Sequence, residues 1–290
     1  MKVGVVGVGI MGSAIARNLL KAGSAVIAYD IDAGRLGEIA AAGAIGARSA
    51  AEVAESVEIL LTSLPSESAL DATVTAVASK QRGGLVMAEL STLPMAAKLR
   101  ARQALASAGV PLLDCPLSGT GAQAVTGDLA VYASGDRAAY DRALPAFQQF
   151  SRVSHFLGEF GNGSKMKFVA NLLVAIHNVA SAEAMVLGMK AGLDPAVIAK
   201  VIASGAGNSR VFELRSPMMV ADRYEPPSMK IDIWQKDMAI IGAYAASLGV
   251  STPLFTATVP VYNAATEQKL GAQDTAAVCA VLERMAGLER

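Results

Sequence analysis

The first twelve residues constrain this chain more than any other segment. Lys2 to Val6 is a short apolar run of strand type, Gly7-Val8-Gly9-Ile10-Met11-Gly12 fits the pattern GxGxxG, and an amphipathic helical pattern follows over Ser13 to Ala22. A strand that turns sharply through glycines into a helix presents free backbone N–H groups at the helix start, which suits an anionic ligand. The glycines have separate tasks. Gly7 permits the tight turn, Gly9 lets backbone approach a pyrophosphate, and Gly12 allows close helix–strand packing. Asp30 stands 18 residues past Gly12, directly after the next strand-like run, where a carboxylate would accept from an adenosine ribose hydroxyl. The carboxylate repels a 2′-phosphate and neither Ile31 nor Asp32 supplies a cation, so the pattern predicts NAD as the preferred dinucleotide. Arg35, a few residues on, keeps NADP possible.

The rest of the first half repeats the strand–helix alternation. Ala25 to Tyr29, Val57 to Leu61, Leu85 to Ala88 and Pro111 to Leu113 read as strands, with helical segments between most of them. Such alternation implies right-handed crossovers and a mostly parallel sheet. Leu129 to Ala133 and Ser151 to Phe156 are expected to extend that sheet, with a helix from Arg137 to about Gln149 between them. Past Gly163 the strand signals stop. Ser164 is expected to cap a helix about 40 Å long that runs to Gly192, Asp194-Pro195 starts the next, and breaks fall at Ser204 to Gly207 and Glu225 to Ser228. The fold class is therefore α/β: a Rossmann-type dinucleotide-binding domain over residues 1–160, then a long interdomain helix and an all-α domain over 161–290.

Composition narrows the function. Of 290 residues, 25 are basic and 25 acidic, so no net field draws the chain toward nucleic acid or an anionic membrane. At 53% hydrophobic and 17% charged it is a globular protein with an ample core. Phe168 to Met189 is apolar but carries Asn171, His177, Asn178 and Glu183, which reads as a buried helix and not a membrane span. Cys115 and Cys279 form no CxxC pair and His155 and His177 lack ligand partners at metal spacing, so reduced thiols, a cytoplasmic location and no metal are expected. Partners should be small molecules or further copies of the chain.

Several motifs beyond the glycine turn resemble those of the β-hydroxyacid dehydrogenase family, within the 6-phosphogluconate dehydrogenase superfamily, over nearly the whole chain. Met11 stands where the family fingerprint carries methionine. Asp114-Cys115-Pro116-Leu117-Ser118-Gly119-Thr120 through Gly127 is similar to the family's substrate motif DxPxSGGxxxAxxG. Gly158, Gly161, Gly163, Lys167 and Asn171 fit GxxGxGxxxKxxxN, and Lys236-Asp237 resembles its C-terminal lysine–aspartate pair. The resemblance implies Lys167 as general acid/base and Asn171 beside it. It further implies that Ser118, Gly119 and Thr120 hold a substrate carboxylate. Leu64, Pro65, Thr92 and Lys236 would then serve the cofactor together with Gly7, Gly9, Ile10, Met11, Gly12 and Asp30.

Position on a helix adds a physical reason. Lys167 and Asn171 are four apart and share one face. A lysine near a helix N-terminus, beside Lys165, works against the helix dipole, which lowers an ammonium's pKa and suits proton exchange.

Three departures bear on the substrate: Thr120 replaces a family glycine, Ala170 replaces the first of two asparagines, and Glu89-Leu90-Ser91-Thr92 replaces Asp-x-Ser-Thr. The expected reaction is hydride transfer between NAD(P) and a small, carboxylate-bearing β-hydroxy acid/semialdehyde pair of the 3-hydroxyisobutyrate or tartronate semialdehyde kind. No cluster of Arg and His marks a substrate phosphate. The family implies a homodimer or homotetramer. An imine or other carbonyl reductase of the same fold and a non-catalytic NAD-binding protein are the alternatives, and the presence of both Lys167 and Asn171 favours the hydroxy-acid reading over them.

Overall fold

A computed structural model describes residues 1–80 and 83–290. They divide into two compact units, Met1–Lys167 and Phe168–Arg290.

In the first unit the elements run β1 (Lys2–Val6), α1 (Ile10–Lys21), β2 (Ala25–Tyr29), α2 (Ala33–Ala41), β3 (Ile45–Gly46), α3 (Ala50–Ser56), β4 (Ile59–Thr62), α4 (Glu67–Ala78), β5 (Val86–Glu89), α5 (Met95–Ser107) and β6 (Leu112–Asp114). These strands form a parallel sheet in the order β3-β2-β1-β4-β5-β6. Chain order reverses between β1 and β4, and in such sheets ligands bind at that switch point, beyond the carboxyl ends of the strands. Every residue of β4 and β5 is buried, as expected where helices cover both faces. Alternate residues feed two cores. Val3, Val5, Ile59, Leu61, Val86 and Ala88 pack with Ile15, Leu19 and Phe147 on one side, and Val6, Leu60 and Met87 pack with Val53, Leu70 and Leu105 on the other.

After β6 come β7 (Leu117–Ser118), α6 (Gly121–Thr126), β8 (Ala130–Ala133), α7 (Arg137–Phe147) and β9 (Val153–Phe156). The segments expected to extend the main sheet instead make a second sheet, β7-β8-β9, with β7 antiparallel and β9 parallel to β8. The physical reason lies at the junction. Pro116 has no N–H with which to continue a ladder, so pairing across from β6 is confined to a bridge between Asp114 and Ser134. Gly135 then turns the chain away with φ +133°.

Helix α8 (Asn162–Lys190) opens two residues before Ser164, so that serine lies inside the first turn and is not the cap. The unit boundary falls within this helix. The second unit continues through α9 (Pro195–Ala203), α10 (Arg210–Ala221), α11 (Ile231–Ser247), α12 (Pro253–Glu267), a 3₁₀ turn (Thr275–Ala277) and α13 (Val278–Met285). Gly192 ends α8 with φ +86°, and Asp194 caps α9 by accepting from Ala196 and Val197 N–H. By length and composition α8 could cross a membrane, yet it carries a buried polar contact of the second unit, Asn178 Nδ2 donating to Tyr262 Oη at 2.9 Å and to Thr275 O at 2.8 Å.

Candidate active site

The glycine turn joins β1 to α1. Gly7 has φ +86°, and a Cβ there would lie 2.2 Å from Ser63 O; a Cβ on Gly12 would lie 1.9 Å from Gly7 O. Both positions are closed to any side chain. Gly9 differs, because its Cβ would meet nothing nearer than Arg35 Nη1 at 3.8 Å. Packing within the chain does not require a glycine at this position. The open space it leaves lies over the start of α1, where no side chain caps the helix, and a diphosphate fits such a cradle. Ile10 is exposed and Met11 half-buried at the same turn.

Asp30, just past β2, holds the turn in shape. Its Oδ2 accepts from Val8 N–H at 2.7 Å and its Oδ1 from Asp32 N–H at 2.9 Å. A carboxylate has about four acceptor sites, so two are left for ribose hydroxyls. Arg35, brought over Gly9, pairs with Asp32 at 3.5 Å with both side chains about half exposed. An ion pair in that setting contributes roughly 0–1 kcal/mol, so the guanidinium is readily released to another anion.

Other expected residues of the first unit gather at neighbouring strand ends. Leu64 N–H donates to Ser91 Oγ at 2.7 Å, tying the Leu64-Pro65 turn after β4 to the Ser91-Thr92 turn after β5. Ser118 ends β7, Gly119 follows with φ +134°, and Thr120 caps α6. Helix α6 docks on α1 through Asn18 Nδ2, which donates to Ala124 O at 2.7 Å. Thr120 N–H donates to Gln123 Oε1 at 3.1 Å. That amide is thereby occupied; the Ser118 hydroxyl and the Gly119 N–H are further donors at this turn.

Lys167 lies in the second turn of α8 because the helix begins at Asn162 and not at Ser164. The dipole acts mainly within the first turn, so it bears on the Lys167 ammonium less strongly than the sequence predicts. Lys167 and Asn171 are both buried. In the second unit Asn171 Nδ2 donates to Asp237 Oδ2 at 2.9 Å, and Lys236 Nζ lies 3.7 Å from Asp237 Oδ1. Besides that N–H, the Asn171 amide carries a second N–H and a carbonyl oxygen. Sequence reasoning gave Asp237 to Lys236 and missed Asn171 as its partner, because 66 positions separate the two.

This geometry has counterparts. Residues 2–158 match the model of the NAD-binding domain of 6-phosphogluconate dehydrogenase, and residues 161–282 match the NAD-binding domain of NADP-dependent 3-hydroxyisobutyrate dehydrogenase. L-threonate dehydrogenase of Cupriavidus necator is 34% identical over 95% of this chain and 94% of its own. This chain belongs to the β-hydroxyacid dehydrogenase family. As a member it is an NAD(P)-dependent dehydrogenase or reductase. Glyoxylate/succinic semialdehyde reductase 2 of Arabidopsis thaliana is 30% identical over 98% of the chain and 80% of its own. A 3-hydroxyisobutyrate dehydrogenase structure from Salmonella typhimurium superposes with TM-score 0.87 at 31% identity, over 97% of this chain and 99% of that one.

Proposed function

We propose that this family member interconverts a small, unphosphorylated β-hydroxy acid and its semialdehyde or keto acid, with Lys167 as general acid/base. The observation that carries this reading is Asn171, buried one helical turn from Lys167 and fixed by the Asp237 carboxylate. Bound nicotinamide supplies or takes up the hydride. In the reductive direction Lys167 gives a proton to the carbonyl oxygen; in oxidation it takes the proton from the hydroxyl. Asn171 holds that oxygen or a neighbouring hydroxyl, and Lys236 supports the cofactor side. The Ser118 hydroxyl and Gly119 N–H receive the substrate carboxylate, with the Thr120 side chain beside them narrowing the site.

NAD is the preferred cofactor in this reading, on the strength of Asp30, and Arg35 over Gly9 supports NADP as a second one. Large exposed apolar side chains, Leu173 and Leu187 on α8 and Val197 and Val201 on α9, support assembly as a homodimer or homotetramer. Two free, buried cysteines suit the reducing cytoplasm.

The test is the initial rate of NAD and NADP reduction with 3-hydroxyisobutyrate, 3-hydroxypropionate, glycerate, L-threonate and serine, wild type beside Lys167→Ala. NAD-linked turnover that drops about 10²- to 10⁴-fold in the variant is expected. Full turnover in Lys167→Ala would refute the proton-transfer assignment. Dinucleotide binding with no turnover of any of the five by the wild type would refute the substrate class.

A further inference from the structure

Beneath the strand ends lies an ionic cluster that the reaction itself does not use. Lys98 of α5 is fully buried, with Nζ 2.6 Å from Asp114 Oδ1 and 2.7 Å from Glu89 Oε2, and both carboxylates are equally inaccessible. Each carboxylate reaches a different part of the site. Glu89 Oε1 accepts from Ser91 N–H at 2.8 Å, and Ser91 Oγ accepts from Leu64 N–H, so Glu89 anchors both turns on the cofactor side. Asp114 reaches the start of α8. Its Oδ2 accepts from Ser164 N–H at 2.7 Å and its Oδ1 from Ser164 Oγ–H at 2.8 Å.

Ser134 Oγ reinforces the joint by accepting from Gly163 N–H at 2.9 Å and Gly161 N–H at 3.2 Å. The backbones touch there, since a Cβ on Gly163 would lie 2.2 Å from Tyr132 O and 2.6 Å from Asp114 O. Lys167 follows Ser164 by three residues, one turn up the same helix.

One ammonium and two carboxylates leave a formal excess of one negative charge out of water, met by the N–H of Ser164 in the first turn of α8 and the N–H of Ser91. Buried ion clusters are poor stabilisers, because apolar residues of similar volume commonly serve as well or better. What such a cluster supplies is geometry, through short directional bonds to several elements at once.

We propose that Lys98, Glu89 and Asp114 are positioning residues of the enzyme: one buried cluster fixes the first turn of α8, and with it Lys167, relative to the turns that carry Leu64-Pro65 and Ser91-Thr92. The inference rests on Lys167 as the proton-transfer group. All of these residues belong to the first unit. Placement matters at this level, since a reacting group displaced by about 1 Å can cost on the order of 100-fold in rate.

Ser164→Ala is the decisive variant, because it removes one bond to Asp114, is sterically mild and leaves the charges in place. Asp114→Asn is its stronger companion. Both are compared with wild type in kcat and KM on the five hydroxy acids above with NAD, in NADH affinity by fluorescence, and in amide hydrogen exchange over residues 162–168. For Ser164→Ala the expected result is faster exchange in that segment, kcat lowered about tenfold, and KM and NADH affinity within threefold of wild type. Asp114→Asn should show a larger loss in the same direction.

Unchanged exchange, or faster exchange with unchanged kcat, overturns the inference and leaves the assignment of Lys167 standing. A loss confined to KM or to NADH binding overturns it as well. The assignment of Lys167 fails by a different result, full turnover in Lys167→Ala, whatever the exchange rates of Ser164→Ala.

Discussion

The side chain of Asn171 donates to the carboxylate of Asp237 at 2.9 Å, and both are buried in the second unit. A hydrogen bond to a charged acceptor contributes roughly 1.5–3 kcal/mol, enough to hold the amide in one of its two orientations. Asp237→Ala should therefore lower kcat about 10- to 100-fold through misorientation of Asn171. Steady-state kinetics beside Asn171→Ala and the double variant check this: the double should be little worse than Asn171→Ala alone, and fully multiplicative losses would show that the two act separately.

Lys98 gives a pH prediction. Burial alone would lower the pKa of its ammonium, but the carboxylates of Asp114 and Glu89 outweigh burial and raise it above its ordinary 10.5. A folded-state pKa above the unfolded value means that the native state holds the proton longer. Stability from this group is therefore complete below about pH 10.5 and declines as pH rises beyond it. Urea unfolding from pH 9 to 11.5 should show this alkaline decline in wild type and a shallower one in Lys98→Met. At neutral pH the variant should lose about 3–5 kcal/mol, because two buried carboxylates are left without their cation.

Arg35 should discriminate between cofactors. Arg35→Ala is expected to weaken NADPH binding about tenfold and NADH binding less than twofold, read by fluorescence titration at low salt. Equal losses for both cofactors would place the guanidinium on a part that the two share.

The thiols should be silent. Burial, reinforced by the Glu283 carboxylate, pushes the Cys279 thiol up to about 12, and burial beside Asp114 raises Cys115 well above its usual range. Thiolates are the reactive form, so native protein at pH 8 should not react with Ellman's reagent within minutes, whereas unfolded protein should release two equivalents. Fast labelling of the native state would disprove the packing around them.

The second unit has its own buried ion pair. Arg215 Nη1 lies 2.7 Å from Asp274 Oδ1, and Asp274 Oδ2 also accepts from Ser228 N–H at 2.7 Å and Met229 N–H at 3.2 Å. Arg215→Met should destabilise by about 3–5 kcal/mol, visible as a lowered urea midpoint. Little change would mean that the loop before α11 is held by other contacts.

Local signals made the first half legible. Five-residue strands such as Lys2–Val6 and Ala25–Tyr29 announce themselves by apolar content between glycines and polar residues, and the glycine turn with Asp30 has a fixed spacing. Strands of two residues carry no readable alternation, so Ile45–Gly46 and Leu117–Ser118 passed unseen and the separate second sheet with them. Long-range pairing was the harder limit. A trace of the buried cluster does exist: Lys98 is in helical register with the buried Ala101 and Leu105, a charge within an inward stripe. Its two partners lie on different strands, and no periodicity reports them.

Because the boundary between the two compact units falls inside α8, between Lys167 and Phe168, Lys167 and Asn171, the proposed proton donor and its companion, belong to different halves of the chain. A hybrid that took its dinucleotide-binding half from one relative and its helical half from another, joined at that boundary, would draw its lysine from one parent and its asparagine from the other. Recombination among relatives is therefore better made at about residue 158, upstream of the helix, which passes the pair on as a single inheritance.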